Sequence, residues 1–151
     1  MLDKLIAAAK QFGGRAAGWD ALEIARIEAG VPRFGTDMDE TCLPQECGIE
    51  ARAMSYNKGC YIGQEVLNRI HSFGHVNRTL CRLRLADGVA LPVRGEKLFA
   101  AGKEVGHITS AAFSPAAQAG FALALVRREA GAAGAQLTLA DSRMATVLAL
   151  V

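Results

Sequence analysis

The chain has 151 residues, 51% apolar and 21% charged, which is enough apolar material for a buried core without disulfide or metal staples. Its 17 lysines and arginines oppose 15 acids, a formal net charge of +2, too balanced for an avid electrostatic binder of nucleic acid or membrane. Apolar runs such as Ala122–Val126 and Val147–Val151 fall far short of the roughly 20 residues that cross a bilayer, so no membrane association is expected.

The N-terminal stretch Leu5–Ala9 lies between Lys4 and Lys10 and is shorter than a secretory signal's apolar region. A cytoplasmic location is therefore expected, with Cys42, Cys47, Cys60 and Cys81 kept as thiols in a reducing compartment. Asp3–Gln11 reads as a short amphipathic helix with Leu5, Ile6 and Ala9 on one face, stopped by Gly13-Gly14. Asp20–Ala29 reads as a second helix, with Asp20 as N-cap, Glu23 completing a capping box, and Trp19 as a hydrophobic staple. Ala21, Ile24 and Ile27, widened by Leu22 and Ala25, would face a core, and Gly30 followed by Pro32 would end the helix. Arg33–Glu50, rich in acids and broken by Gly35, Pro44 and Gly48, reads as an irregular connection. A third helix is expected from about Gly63 to Ile70.

The chain changes character near residue 76. Leu80–Leu85 alternates, with Arg82 and Arg84 opposed to Cys81, Leu83 and Leu85, the period of a half-buried strand. Lys97–Ala100 and Glu104–Thr109 read as a hairpin through Ala101-Gly102-Lys103, and Ala119–Arg127, Gln136–Leu139 and Arg143–Val151 as further strands. Strands this short and closely spaced suggest a small antiparallel barrel or sandwich. The expected fold class is thus α+β, with residues 1–75 helical and irregular and residues 76–151 forming a β-barrel domain.

The stretch with most chemistry is Tyr56–Glu65. A cysteine is a nucleophile only as its thiolate. Lys58 places a cation two residues from Cys60, and a helix starting near Gly63 would aim partly positive N–H groups back at it. Gly59 and Gly63 permit sharp turns, while Gln64 and Glu65 add an amide and a carboxylate. The alternative is an inert cysteine buried in a glycine-punctuated turn, and both readings stay open at this level.

Lys58-Gly59-Cys60-Tyr61-Ile62-Gly63-Gln64-Glu65 resembles the K-G-C-[FY]-x-G-Q-E signature of the YgfZ family, folate-binding relatives of the glycine-cleavage T-protein. Ala25–Pro32 followed by Gly35 is similar to the R-x-E-A-G-x-P…G run of both groups, Leu43-Pro44-Gln45-Glu46 fits the segment between, and Gly106-His107-Ile108-Thr109-Ser110 resembles part of the family's C-terminal barrel. The resemblance implies a T-protein-like folate-binding region over residues 1–75. It also implies a folate-dependent accessory role in iron–sulfur cluster assembly or repair, and through it tRNA modification. Cys60 and Lys58 would carry the chemistry; Arg26, Glu28, Tyr61, Gln64 and Glu65 would contact tetrahydrofolate. Partners would be iron–sulfur proteins or their assembly machinery. The family's N-terminal region builds much of the folate pocket, and this chain starts after it, so folate binding would need that missing half.

Two other functions compete. One is an aminomethyltransferase of glycine cleavage, although T-proteins generally lack the thiol and the K-G-C-Y-x-G-Q-E string. The other is a binding module without chemistry, so enzyme status is left open. Cys42-x4-Cys47 with His71-x3-His75 does not match the spacing of a small zinc module, and the two histidines are expected in a loop. Arg69, Arg78, Arg82 and Arg84 form a modest basic set that would meet either an acidic partner or solvent; direct nucleic-acid binding is not expected.

Overall fold

The computed structural model describes residues 1–151, the side chain of Leu150 excepted. Four helices precede the sheet: α1 (Leu2–Gln11), α2 (Trp19–Glu28), α3 (Glu50–Ala53) and α4 (Gln64–Phe73). Six strands follow: β1 (Arg78–Leu85), β2 (Lys97–Ala100), β3 (Lys103–Ser114), β4 (Ala119–Arg127), β5 (Gln136–Leu139) and β6 (Met144–Leu150). They close into an antiparallel barrel in the order β1-β4-β3-β2-β5-β6, so the small-barrel expectation holds. No described helix is long and apolar enough to cross a membrane.

Strand alternation builds the barrel interior. Cys81, Leu83 and Leu85 of β1 point inward with Leu98, Ile108, Val126, Leu137 and Val147, and the small Ala122, Ala124 and Ala145 fit between them. Burying each large aliphatic side chain is worth about 1.5–3 kcal/mol. Between β2 and β3, Ala101 (φ 49°) and Gly102 (φ 76°) both take left-handed backbone, as a two-residue type I′ turn demands, and Lys103 already belongs to β3. At Gly106 the strands lie so close that a Cβ would sit 2.2 Å from the Leu125 carbonyl oxygen.

β4 is apolar without alternation because both its faces are covered. Its outer side chains Leu123 and Leu125 join Leu80, Ile27 of α2 and Cys42 of the connection in a second cluster outside the barrel. This layer fastens the helical half to the sheet. The Leu80 amide donates to the Glu46 carbonyl at 2.7 Å, which continues the connection along the β1 edge.

Several local expectations are corrected. The N-cap of α2 is Gly18, not Asp20, and Glu23 turns to Arg26 and Arg33 instead of closing a capping box. Trp19 is 64% exposed, with the Arg33 guanidinium 5.4 Å from its ring centroid, and staples nothing. Of the expected α2 stripe only Ile27 is buried; Ala21, Leu22 and Ala25 are exposed because the covered face runs through Glu23, Arg26, Ile27 and Gly30. The stop at Gly30 holds: its φ is +73°, and the amides of Gly30 and Val31 donate to the Ile27 and Arg26 carbonyls, a Schellman motif. α1 buries no residue, so Leu5, Ile6 and Ala9 meet no core. α4 runs on to Phe73, which puts His71 on a helix instead of in a loop.

Candidate functional site

Two polar assemblies stand out, and they are built in opposite ways. The first centres on Asp37, which the sequence reading passed over as part of an irregular connection. Its carboxylate is 2% exposed. Oδ2 accepts from Arg26 Nη1 at 2.6 Å and from the Arg33 amide at 2.9 Å, while Oδ1 accepts from Thr109 Oγ1 and Ser110 Oγ, both at 2.6 Å. The Thr109 hydroxyl also lies 3.0 Å from the Leu123 carbonyl; having one proton, it donates to the ionised carboxylate as the stronger acceptor. Arg26 is itself buried, and its other donors reach Glu23 Oε2 (2.8 and 3.1 Å) and the Val31 carbonyl. The hydrogen bond from Arg26, with its charge and that of Arg33, holds the Glu23 carboxyl below the usual carboxylate range.

Arg26 is therefore a cation whose donors are engaged inside the protein. Glu28 is half-buried on the same helix, and its carbonyl accepts from Arg82, which draws Arg82 off the expected solvent face. A periodicity argument could not see this knot, since Asp37 and its hydroxyl partners are 72 and 73 residues apart. The one available signal was the buried-type pairing of an acid and a basic residue around the helix stop.

The second assembly carries the Cys60 loop. Glu50, at the start of α3, accepts from the Tyr56 hydroxyl at 2.5 Å and meets His71 Nδ1 at 3.0 Å, while the Tyr56 and His71 rings stack with centroids 4.2 Å apart. Burial first, then the neighbouring carboxylate, raise the Tyr56 phenol above its ordinary value. Beyond this clamp the chain runs out to Cys60, which is exposed, and Ile62, which is fully exposed. Gly63 (φ +87°) turns the backbone into α4, and the Gln64 amide donates to the Tyr61 carbonyl at 3.2 Å. Gln64 Nε2 reaches back to the Lys58 carbonyl at 3.4 Å, and Glu65 is exposed in the first helical turn.

The Lys58 ammonium is engaged by a neighbouring ring. Its Nζ stands over the Tyr61 ring, 4.8 Å from the centroid, a cation–π contact. Lys58, Tyr61 and Gln64 are thus brought together around the Cys60 bend. Arg26 and Glu28 belong to the Asp37 knot, and no hydrogen bond or ion pair among the described residues joins the two groups. The fit to a folate is accordingly partial: the Arg26 donors are engaged within the protein, whereas the Tyr61 hydroxyl and Gln45 Oε1 are buried polar atoms with no hydrogen-bond partner among the described residues.

The remaining thiols differ from Cys60. Cys47 and Cys81 are buried; desolvation pushes their thiols up to about 12 and about 11. Cys42 is half-buried, with Arg78 Nη2 3.9 Å from its Sγ.

Comparison with known proteins gives one consistent picture. Aminomethyltransferase from Thermotoga neapolitana is 37% identical over 126 residues, 83% of this chain and 33% of that one. Aminomethyltransferase from Thermoanaerobacter pseudethanolicus is 28% identical over 137 residues, 91% of this chain and 36% of that one. The crystal structure of glycine cleavage system aminomethyltransferase T from Bartonella henselae superposes with a TM-score of 0.74 at 20% identity, over 85% of this chain and 37% of that one, a likeness of fold. The chain spans about a third of the length of the curated relatives it matches. The narrower YgfZ assignment rests on the Lys58–Glu65 string alone. Residues 78–149 match the family described as the glycine cleavage T-protein C-terminal barrel domain, so this part of the chain is similar to that barrel.

Proposed function

We propose that this chain supplies the barrel and connecting helices of a folate-dependent aminomethyl transfer, the reaction type for which its relatives are named. Tetrahydrofolate would accept the one-carbon unit. The observation that carries this reading is the match to aminomethyltransferases, which extends beyond the barrel into the helical half and covers up to 91% of the chain. The chain's own residues would serve it in two ways. The Asp37 knot fixes α2 against β3, and the unpartnered Tyr61 hydroxyl, next to Cys60, and the Gln45 oxygen, whose amide nitrogen is held at α4, would gain partners if the loop opened onto a ligand. The test is direct measurement of aminomethyl transfer from a lipoyl carrier protein to tetrahydrofolate, with tetrahydrofolate binding followed by calorimetry. Measured with this chain joined to the preceding region that its relatives carry, transfer that survives Cys60→Ala supports the reading; absence of both binding and transfer overturns it.

A second reading, an accessory protein of iron–sulfur cluster assembly or repair acting on iron–sulfur proteins, is favoured by one observation. An exposed thiol stands at the tip of a glycine-flanked bend within the Lys58–Glu65 string. Here Cys60→Ala and Lys58→Ala would each abolish complementation of a strain lacking the corresponding protein. Full rescue by both variants would remove this reading and leave the first untouched.

A further inference from the structure

The outer surface where β1 begins and β4 ends carries more positive charge than the fold requires. Arg78 and Arg127 are direct cross-strand partners in the β1–β4 pair, and Arg128 follows at once in a single 3-10 turn. Like charges placed opposite each other on a sheet disfavour the pairing. Only one of the three is neutralised: Arg78 Nε donates to the nearly buried Glu46 carboxylate at 2.9 Å. Arg127 and Arg128 are exposed and form no ion pair among the described residues.

All three arginines line one cavity of about 920 Å³, together with Asn77, Leu43 and Val76; the acids on its wall are Glu46, already paired with Arg78, and the exposed Glu129, so basic residues outnumber acidic ones there. Its volume lies within the roughly 300–1,000 Å³ of small-molecule clefts. Two smaller cavities adjoin it through Arg78 and add His107 and Arg94. His107 is held below its ordinary value by burial first and then by the charges of Arg78 and Arg94, with Glu104 acting in the opposite sense. The basic set read from sequence is thereby regrouped. Arg82 is tied to Glu28 and Arg84 faces Asp87, while Arg78 gains Arg127 and Arg128 as neighbours across the sheet.

We propose that the cavity at Arg78, Arg127 and Arg128 is a binding site for a phosphate monoester of about nucleotide size. Arg127 and Arg128 grip the phosphate oxygens, whose geometry suits the fork of guanidinium donors. Arg78, fixed by Glu46, frames the inner wall. Asn77 offers an amide, and Leu43 and Val76 an apolar surface, to the rest of the ligand. The site uses no residue of the Cys60 loop and stands independently of the one-carbon reading. The small overall charge of +2 favours a single phosphate group over a nucleic-acid backbone.

The full chain is titrated with adenosine monophosphate by calorimetry, with inorganic phosphate, adenosine and succinate as separate arms. Saturable binding of the nucleotide, weaker binding of phosphate, and none of adenosine are expected. The double variant R127Q/R128Q should weaken nucleotide binding by about tenfold or more, while Arg84→Gln leaves it unchanged. Both positions are exposed, so unchanged thermal unfolding of the double variant checks that the fold is intact. The proposal is overturned by failure to saturate at about 1 mM nucleotide. It is equally overturned if adenosine or succinate binds as tightly as the nucleotide, or if the double variant binds like the parent.

Discussion

The Asp37 knot and the Cys60 loop use the same kinds of side chain for opposite ends. At Asp37 an acid, the Arg26 guanidinium, the Arg33 backbone amide and two hydroxyls are drawn out of water and satisfied against one another, which welds α2 and its connection to β3. At Cys60 the polar groups are clamped behind the bend by Glu50, Tyr56 and His71 and more loosely within it by Gln64 and Tyr61, and the thiol is left in solvent. The difference separates scaffold from site. Charge that is buried and fully partnered fixes geometry, whereas a group left exposed on a clamped loop remains available to another molecule.

The widest contrast is expected in thiol reactivity. Cys60 should be modified by a soluble maleimide at the rate of an exposed thiol, and Cys81 only through global opening, slower by about three orders of magnitude or more. Mass spectrometry of partially labelled protein reads the order; Cys81 labelled alongside Cys60 would erase the distinction between scaffold and site. Next in size is Asp37→Ala. It removes one of the two acids of the buried Arg26, leaving Glu23, and takes from Thr109 and Ser110 their shared carboxylate acceptor, a loss of about 3 kcal/mol in urea unfolding. A cost within about 0.5 kcal/mol, the size of a surface change, would show that the knot is not what holds the halves together.

The smallest effect is a dependence on pH. The folded protein holds the His107 imidazole below its ordinary value of 6.5. As pH falls through the window just under 6.5, the unfolded chain takes up a proton that the folded one refuses, so stability is lost on acidification there and present above it. The melting temperature should fall between pH 7.5 and 5.5, and His107→Gln should flatten part of that fall. An unchanged slope in the variant would assign the dependence to other groups.

The barrel was the most legible part of the chain. β2, β4 and β5 lie where alternation, apolar runs and turn residues put them, because a strand's pattern is set by its own side chains and its neighbouring turn. β3 was read too short: it continues from Thr109 to Ser114, where small residues give no alternation and pairing with β4 extends the strand. The Cys60 bend was also readable, since Gly63 and the first residues of α4 are adjacent in sequence. The roles of its neighbours were not, because the aim of Lys58 at Tyr61 depends on rotamers and packing.

From its own residues the chain dictates short strands, the Gly30 helix stop and a cysteine set between glycines, all consequences of local backbone preference and side-chain period. Which face of α2 is buried, why Arg26 turns inward, and that Arg78, Arg127 and Arg128 share one cavity were settled by folding. The physical reason is sequence separation. Asp37 meets Thr109 and Ser110 across 72 and 73 residues of chain, and burial gives those long-range charge and hydrogen-bond contacts their strength by removing the competing water.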